Sequence, residues 1–260
     1  IFGRSVSNIS GFIIVGANGD QENGVNAGAA YIFEYTGVWT QAAKLLPANV
    51  STGDAYGFDV NISDGPVAIV GSIYDNNSNG TSAGSAYIFR RVSASWILED
   101  HIMAATHGSI GDNFGVKVAV DGGRAIIGAH MDDTNGNLSG IAYIFDRAQG
   151  GSTWSETAVL LASDGAPNDR FGASVSLDGD TAVVGSSFES DNGYLAGAGY
   201  VFQLDATSTW TELTKLEASD AQAGDRLGFS IDVDGYNIAV GAWRDSDMAT
   251  EAGSAYFFTI

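Results

Sequence analysis

Five loop positions carry an acid at the same place. Asp20, Asp75, Asp132, Glu189 and Asp245 each stand four residues after the glycine that closes an apolar run. Further oxygen donors lie two residues on, at Glu22, Asn77, Asp191 and Asp247. Asp75-Asn-Asn77-Ser-Asn79-Gly80 has the alternation of the first half of a helix–loop–helix calcium loop, and Asp133, Asn135 and Asn137 repeat it more loosely. Calcium takes six to eight oxygens, often from such alternating side chains, so Ca2+ is the cofactor these residues would hold. The late bidentate acid is lacking, because the twelfth position from Asp75 is Ala86. Asp and Asn that bond their own backbone to hold a turn produce the same alternation, so two readings stand.

A second acid recurs two residues before an aromatic–glycine or Leu-Gly pair: Asp54, Asp112, Asp169 and Asp225. With no matching base at a fixed distance, these acids are expected to accept backbone N–H groups and pin their loops. Tyr194 and Trp243 fall in the same loops as the first acids and offer aromatic faces on which a sugar ring could stack. Catalytic chemistry is harder to build. His101, His107 and His130 do not recur, and there is no nucleophile elbow, zinc-protease helix or phosphate-cradling loop. Paired carboxylates could cut a glycosidic bond, but these acids are spread evenly by repeat, whereas an active site would make one repeat special. The residues predict a protein that is not an enzyme.

The elements that position these residues repeat five times. Phe2-Gly3, Tyr56-Gly57, Phe114-Gly115, Phe171-Gly172 and Leu227-Gly228 each begin an alternating strand, A. A turn follows at Ser10-Gly11, Asp64-Gly65, Asp121-Gly122, Asp178-Gly179 or Asp234-Gly235, which predicts a type I′ hairpin. Strand B is FIIVGA, VAIVGS, RAIIGA, TAVVGS or NIAVGA, and strand C is GAAYIF, GSAYIF, GIAYIF, GAGYVF or GSAYFF. Strand D starts at Trp39, Trp96, Trp154 and Trp210, with Leu45, Ile102, Leu160 and Leu216 six residues later, an even offset that predicts one shared face. A four-stranded meander repeated at this period predicts an all-β fold, a β-propeller of five blades in one domain. The repeats run 1–55, 56–113, 114–170, 171–226 and 227–260. A fragment of a seven-bladed propeller is the alternative.

The order FG, apolar run ending in Gly-Ala or Gly-Ser, then GSAYIF and a Trp strand resembles the FG-GAP repeat, in its bacterial secreted form more than its integrin α-subunit form. The resemblance spans all five repeats. It implies a β-propeller, generally extracellular, that works in adhesion or ligand binding. In the integrin form a D-x-D-x-D-G calcium loop lies between FG and GAP. Here a tight turn fills that place, so that metal site does not carry over.

Composition agrees with a surface-exposed binding protein. The chain has 31 acids against 11 bases, a net charge of −20, which argues against nucleic acid and anionic membranes as partners. No stretch is long and apolar enough to insert in a bilayer, and there is no cysteine. In a meander the B–C and D–A loops share one end, and that end holds 17 of the 31 acids against Arg170, Arg226 and Arg244. The expected function is a secreted or cell-surface binding or adhesion module whose ligand, protein or glycan, meets this loop face. A subunit of an extracellular filament or surface layer is the first alternative, and a lectin the second. The fifth repeat stops after strand C, so the missing D strand is expected upstream of residue 1. Its absence predicts an open edge at Ala255–Thr259 that another segment or subunit covers by strand addition.

Overall fold

The computed structural model describes all 260 residues and consists of strands and turns without a helix. Nineteen strands form five sheets in chain order. The first holds β1 (Val6–Ile9), β2 (Phe12–Ala17), β3 (Ala29–Tyr35) and β4 (Trp39–Leu45); the second holds β5 (Tyr56–Ser63), β6 (Val67–Ser72), β7 (Ser85–Val92) and β8 (Ser95–Ile102). The third holds β9 (Lys117–Asp121), β10 (Arg124–Ala129), β11 (Ile141–Arg147) and β12 (Trp154–Leu160). The fourth holds β13 (Ser174–Asp178), β14 (Thr181–Ser186), β15 (Ala198–Leu204) and β16 (Trp210–Leu216). The fifth has three strands, β17 (Leu227–Asp234), β18 (Asn237–Ala242) and β19 (Ser254–Thr259). Every sheet is a meander in sequence order, so the A-B-C-D reading holds, and the sheets are five blades of the propeller type.

The chain divides into two compact units, residues 1–127 with 145–157, and residues 128–144 with 158–260. In the first, Ile14, Ile32, Tyr56, Val60, Val70 and Tyr87 belong to one buried cluster. In the second, Val183, Val201, Leu216, Leu227, Ile238 and Val240 do the same. Strands β6 and β14 are buried at every residue, which is why their sequences are continuous apolar runs. β19 alternates instead. Phe257 is 81% exposed, whereas its counterparts Ile32, Ile88, Ile144 and Val201 are fully buried.

Within each unit, successive sheets meet at a joint made by the two repeated phrases. The carbonyl of Gly57 lies against Gly16 and that of Gly115 against Gly71 in the first unit; in the second, Gly172 meets Gly128 and Gly228 meets Gly185. A Cβ on the strand-B glycine would overlap that carbonyl oxygen. Beside it, the residue before the glycine forms an isolated parallel bridge with the glycine ahead of strand C: Gly28 with Tyr56, Gly84 with Phe114, Gly140 with Phe171, Gly197 with Leu227.

Two local expectations are corrected. The hairpin turns are not type I′. In the fourth and fifth sheets Asp178 pairs with Thr181 and Asp234 with Asn237. The acid therefore closes the ladder, and Gly179 or Gly235 is the first central residue, with φ of 55° and 58°. No positive φ occurs at Asp180 or Tyr236, so this is the glycine-first arrangement of a type II′ turn. Nor do the strand-D Trp and the later aliphatic residue share a face in the first, second and fourth sheets. Leu45 pairs with Ala30 and Trp39 with Tyr35, five residues apart, because the register shifts between Ile32 and Phe33. The same shift occurs at Ile88/Phe89 and Val201/Phe202. One bulged residue reverses the parity: Leu45 is buried at 3% and Trp39 is exposed at 48%.

Candidate functional site

Each B–C loop is clamped to the D–A loop that follows it. In the first sheet Gly53 N–H donates to the Val25 carbonyl (3.0 Å), Ala55 N–H to Asn26 (3.0 Å) and Tyr56 N–H to Ala27 (2.9 Å). In the fourth, Gly224 donates to Tyr194 (2.9 Å), Arg226 to Leu195 (3.1 Å) and Leu227 to Ala196 (2.8 Å). In the third the acceptors are Asn137, Leu138 and Ser139. The middle acceptor of each ladder is left-handed, with φ of 54° at Asn26 and 57° at Leu195. The loop backbone is therefore a constant frame.

The recurring acids hold that frame from within. Asp20 accepts the Glu22 N–H at 3.0 Å, Asp132 the Thr134 N–H at 2.7 Å and Asp245 the Asp247 N–H at 3.0 Å, while Glu189 accepts the Asp191 N–H. Asp75 accepts Gly84 N–H on its main-chain carbonyl at 3.1 Å, a bond that recurs in all five sheets. The second acid set caps the D–A loops. Asp54 accepts Ser51 N–H at 2.6 Å, Asp169 Ala166 N–H at 2.7 Å and Asp225 Gln222 N–H at 2.6 Å, and Asp112 accepts Ser109 N–H. Burial pushes the Asp54 and Asp169 carboxyls above their ordinary range, and the loop N–H bonds oppose that rise only in part.

The alternation at Asp75–Asn79 belongs to turns. Asn77 Oδ1 accepts the Asn79 N–H at 2.8 Å, and its amide donates to the Gly84 carbonyl at 2.7 Å. Asn79 donates to Ala104 and Asn135 to Gly165, while Asp133 accepts the Leu138 N–H at 2.6 Å. Asn137 projects its side chain into solvent. No three His, Cys, Asp or Glu side chains converge in a way that could share an ion. The calcium reading of these thirteen residues therefore has no assembled ligand set behind it. Their oxygens bond loop N–H groups, or share a lysine or tyrosine, as Asp20 and Glu22 share Lys44 and Glu189 and Asp191 share Lys215.

One arrangement was not legible as a motif. In three sheets the tyrosine of strand C lies in register with a strand-D residue: Tyr31 with Lys44, Tyr87 with His101, Tyr200 with Lys215. Lys44 reaches Asp20 at 3.0 Å and Glu22 at 2.7 Å, and Tyr31 donates to Asp20 at 2.7 Å. Partial burial raises the Asp20 carboxyl's pKa, and the bonds from Glu22 N–H, Tyr31 and Lys44 more than reverse it, leaving it below the ordinary range. His101 stacks on Tyr87 at 4.2 Å and places Nε2 3.4 Å from Asp75. In the fourth sheet Lys215 meets Asp164 at 2.7 Å, Asp191 at 3.1 Å and Glu189 at 3.3 Å, and Tyr200 donates to Asp164 at 2.9 Å. The fifth sheet has the tyrosine and the acids but no D strand. The Tyr256 hydroxyl lies between two carboxylates, 2.7 Å from Asp245 and 2.9 Å from Asp220, either of which can accept its one proton, and the Asp245 charge raises the Asp247 carboxyl.

What the frame displays differs from sheet to sheet. The first acceptor position of the four clamps is occupied by Val25, Thr81, Asn137 and Tyr194, all exposed. Tyr194 is 73% exposed and lines a concavity of about 360 Å³ with Gly224, Arg244, Ser246 and Glu251. Trp243 does not join it; its ring tilts against Phe229 at 5.3 Å. The two proposed stacking aromatics therefore do not make one platform.

A family model described as FG-GAP repeat matches residues 1–33, 39–89, 96–145, 154–202 and 210–258. This chain belongs to the FG-GAP repeat family. From the second onward, the matches begin at the strand-D Trp or at its register, and they end in or just after strand C. No curated protein matches the chain.

Proposed function

We propose that this FG-GAP chain is a non-catalytic, extracellular binding module whose ligand contacts the B–C and D–A loop end. The observation that carries the reading is the constant frame with a changing display: the same backbone clamps recur in four loops, and the side chain held out at Val25, Thr81, Asn137 or Tyr194 changes. Rigid loops that present variable exposed side chains give recognition at low ordering cost. The acids of this end serve the frame, so the reading needs neither a catalytic dyad nor calcium. The purified chain is expected to bind a glycan or a matrix protein on an array. Tyr194→Ala should weaken that binding at least tenfold with an unchanged melting temperature. Equal binding by Tyr194→Ala and by alanine at Val25 and Thr81 would overturn the reading.

A second partner is favoured by the fifth sheet. β19 is an edge strand, and Ala255 is exposed where Ala30, Ala86 and Ala142 are fully buried under the outer strand. We infer that the occupant is an extended segment of strand-D type, with Lys opposite Tyr256 and Leu or Ile opposite Ala255. The charge of Asp220 and Asp245 supports this choice. A peptide with the β16 sequence WTELTKL, added in trans, should raise the melting temperature by several degrees in a saturable manner. The same peptide with Glu for Lys should not. Equal effects of both peptides, or a dimer paired through β19, would refute this occupant.

A further inference from the structure

Three of the four bases of the second unit, Arg170, Arg226 and Arg244, lie at its loop end. Arg170 and Arg226 stand directly before Phe171-Gly172 and Leu227-Gly228, at a position held by Ala55 and Asn113 in the earlier repeats. Both guanidinium groups lie over one ring, that of Phe188, at 4.3 and 4.1 Å from its centroid. Both residues are left-handed, with φ of 56° and 60°, as are Ala55 at 54° and Asn113 at 59°, so the backbone of this position is shared and only the side chain differs. Of the chain's nine other bases, Lys44, Arg90, Arg91, Lys117, Arg124, Arg147, Lys215 and Arg244 are ion-paired, and Arg4 lies over the Phe58 ring at 4.1 Å. Arg170 and Arg226 have no such carboxylate, in a protein of net charge −20. Arg226 Nε is buried and meets no acceptor. A buried donor left unpaired costs stability unless something completes it.

The surroundings share that sign. Burial holds the Arg226 pKa below its ordinary value, and the Arg244 and Arg170 charges lower it further. Burial, reinforced by the Arg170 charge, presses His130 down to about 4, and His130 Nδ1 is likewise buried without a partner. Arg244, paired with Glu251, lines the concavity beside Tyr194, and Leu195 of the same lining accepts the Arg226 N–H. Guanidinium forks match the planar oxygens of carboxylates and the tetrahedral oxygens of sulfate and phosphate.

We propose that Arg170, Arg226 and Arg244 form an anion seat that takes the oxyanion group of a ligand whose body lies against Tyr194. The proposal deepens the loop-face reading and rests on it for its place. A carboxylated sugar and a free inorganic oxyanion present the same chemistry, so both are used as probes.

The experiment is a calorimetric and thermal-melting titration of the full chain with sodium glucuronate and with sodium sulfate. Ionic strength is held constant with sodium chloride, and glucose serves as the uncharged control. Saturable binding of at least one anion is expected, with none for glucose. Arg226→Gln and Arg170→Gln should each weaken it at least tenfold. Arg226→Gln should also melt no lower than the parent in anion-free buffer, since it removes an unpaired cation; a stacking role alone would lower it. Arg244→Gln, on a more exposed side chain, provides a second variant should the others fail to fold, and it should weaken binding at least threefold. Absence of a saturable response beyond sodium chloride, or binding by the Arg226→Gln and Arg244→Gln variants within twofold of the parent, overturns the seat. Loss of array ligands in Tyr194→Ala with unaltered binding in the arginine variants removes the seat and leaves the module reading standing. Tighter binding of glucuronate than sulfate identifies a carboxylated ligand, and the reverse identifies a free oxyanion.

Discussion

Gly71→Ala is expected to lower the melting temperature by roughly 6–12 °C, from a loss of about 3 kcal/mol. The Gly71 backbone does not need a left-handed conformation, so propensity alone would make alanine harmless or helpful there. The cost comes from space. An added Cβ would meet the carbonyl oxygen, the carbonyl carbon and the Cα of Gly115, all of them backbone atoms that cannot rotate away. The second and third strand sets would have to part at the joint where Phe114 also bridges Gly84. In a repeat protein the contact between neighbours is a principal stability term, so one opened joint weakens both sheets it connects.

Gly122→Ala is the control. Gly122 has a φ of 55°, so alanine is strained there, but nothing lies within 4 Å of its added Cβ. It should cost only about 1 kcal/mol. Thermal melts of the two variants beside the parent make the test. Equal losses would mean that the joint yields easily and that the FG and GA phrases do not act as a lock.

The repeat length, strand order and blade count were legible because they depend on patterns that recur five times. The joint was half legible. Glycines recur at fixed places in the sequence, but which glycine faces which depends on how one sheet lies on the next. Strand parity failed at Trp39, Trp96 and Trp210 because a single bulged residue, invisible to counting, moves everything beyond it to the other face. Turn type failed because the Asp of Asp-Gly belongs to the last ladder pair at Asp178 and Asp234. At the loop end, recurrence marks the acids and not what surrounds them. The acids that repeat hold turns. The residues that break the repeat, Arg170 and Arg226 in place of Ala55 and Asn113, make the distinctive chemistry. Lys44, His101 and Lys215 escaped notice because their types differ and because their common property, facing the strand-C tyrosine, exists only in the register.

That register sets up the second large effect. Lys215→Met is expected to cost about 2 kcal/mol at pH 7, below the usual figure for a fully buried pair because Asp191 and Glu217 remain in water. Methionine keeps an apolar side chain opposite Tyr200 and removes the ammonium that lies over its ring and faces Asp164, Glu189, Asp191 and Glu217. The loss should depend on pH with a definite sign. Burial raises the Asp164 carboxyl's pKa, but the Lys215 and Tyr200 bonds outweigh it and depress the pKa below its ordinary value. A carboxylate of that kind stabilises the fold above the unfolded pKa of about 4 and ceases to as pH falls through the depressed value. Glu189 is the opposite case: burial has already raised it, so its charged form opposes folding, and more so once Lys215 is gone. Both effects make the difference between parent and variant largest at neutral pH and smaller toward pH 4. Melting curves from pH 4 to 8 read this directly, and a difference that does not change with pH would assign Lys215 to packing alone. The fifth sheet already has the charge state of that variant, with Tyr256 bonded to Asp220 and Asp245 and no lysine opposite. The energy lost in Lys215→Met therefore sets the scale of what a lysine-bearing strand gains by completing β19.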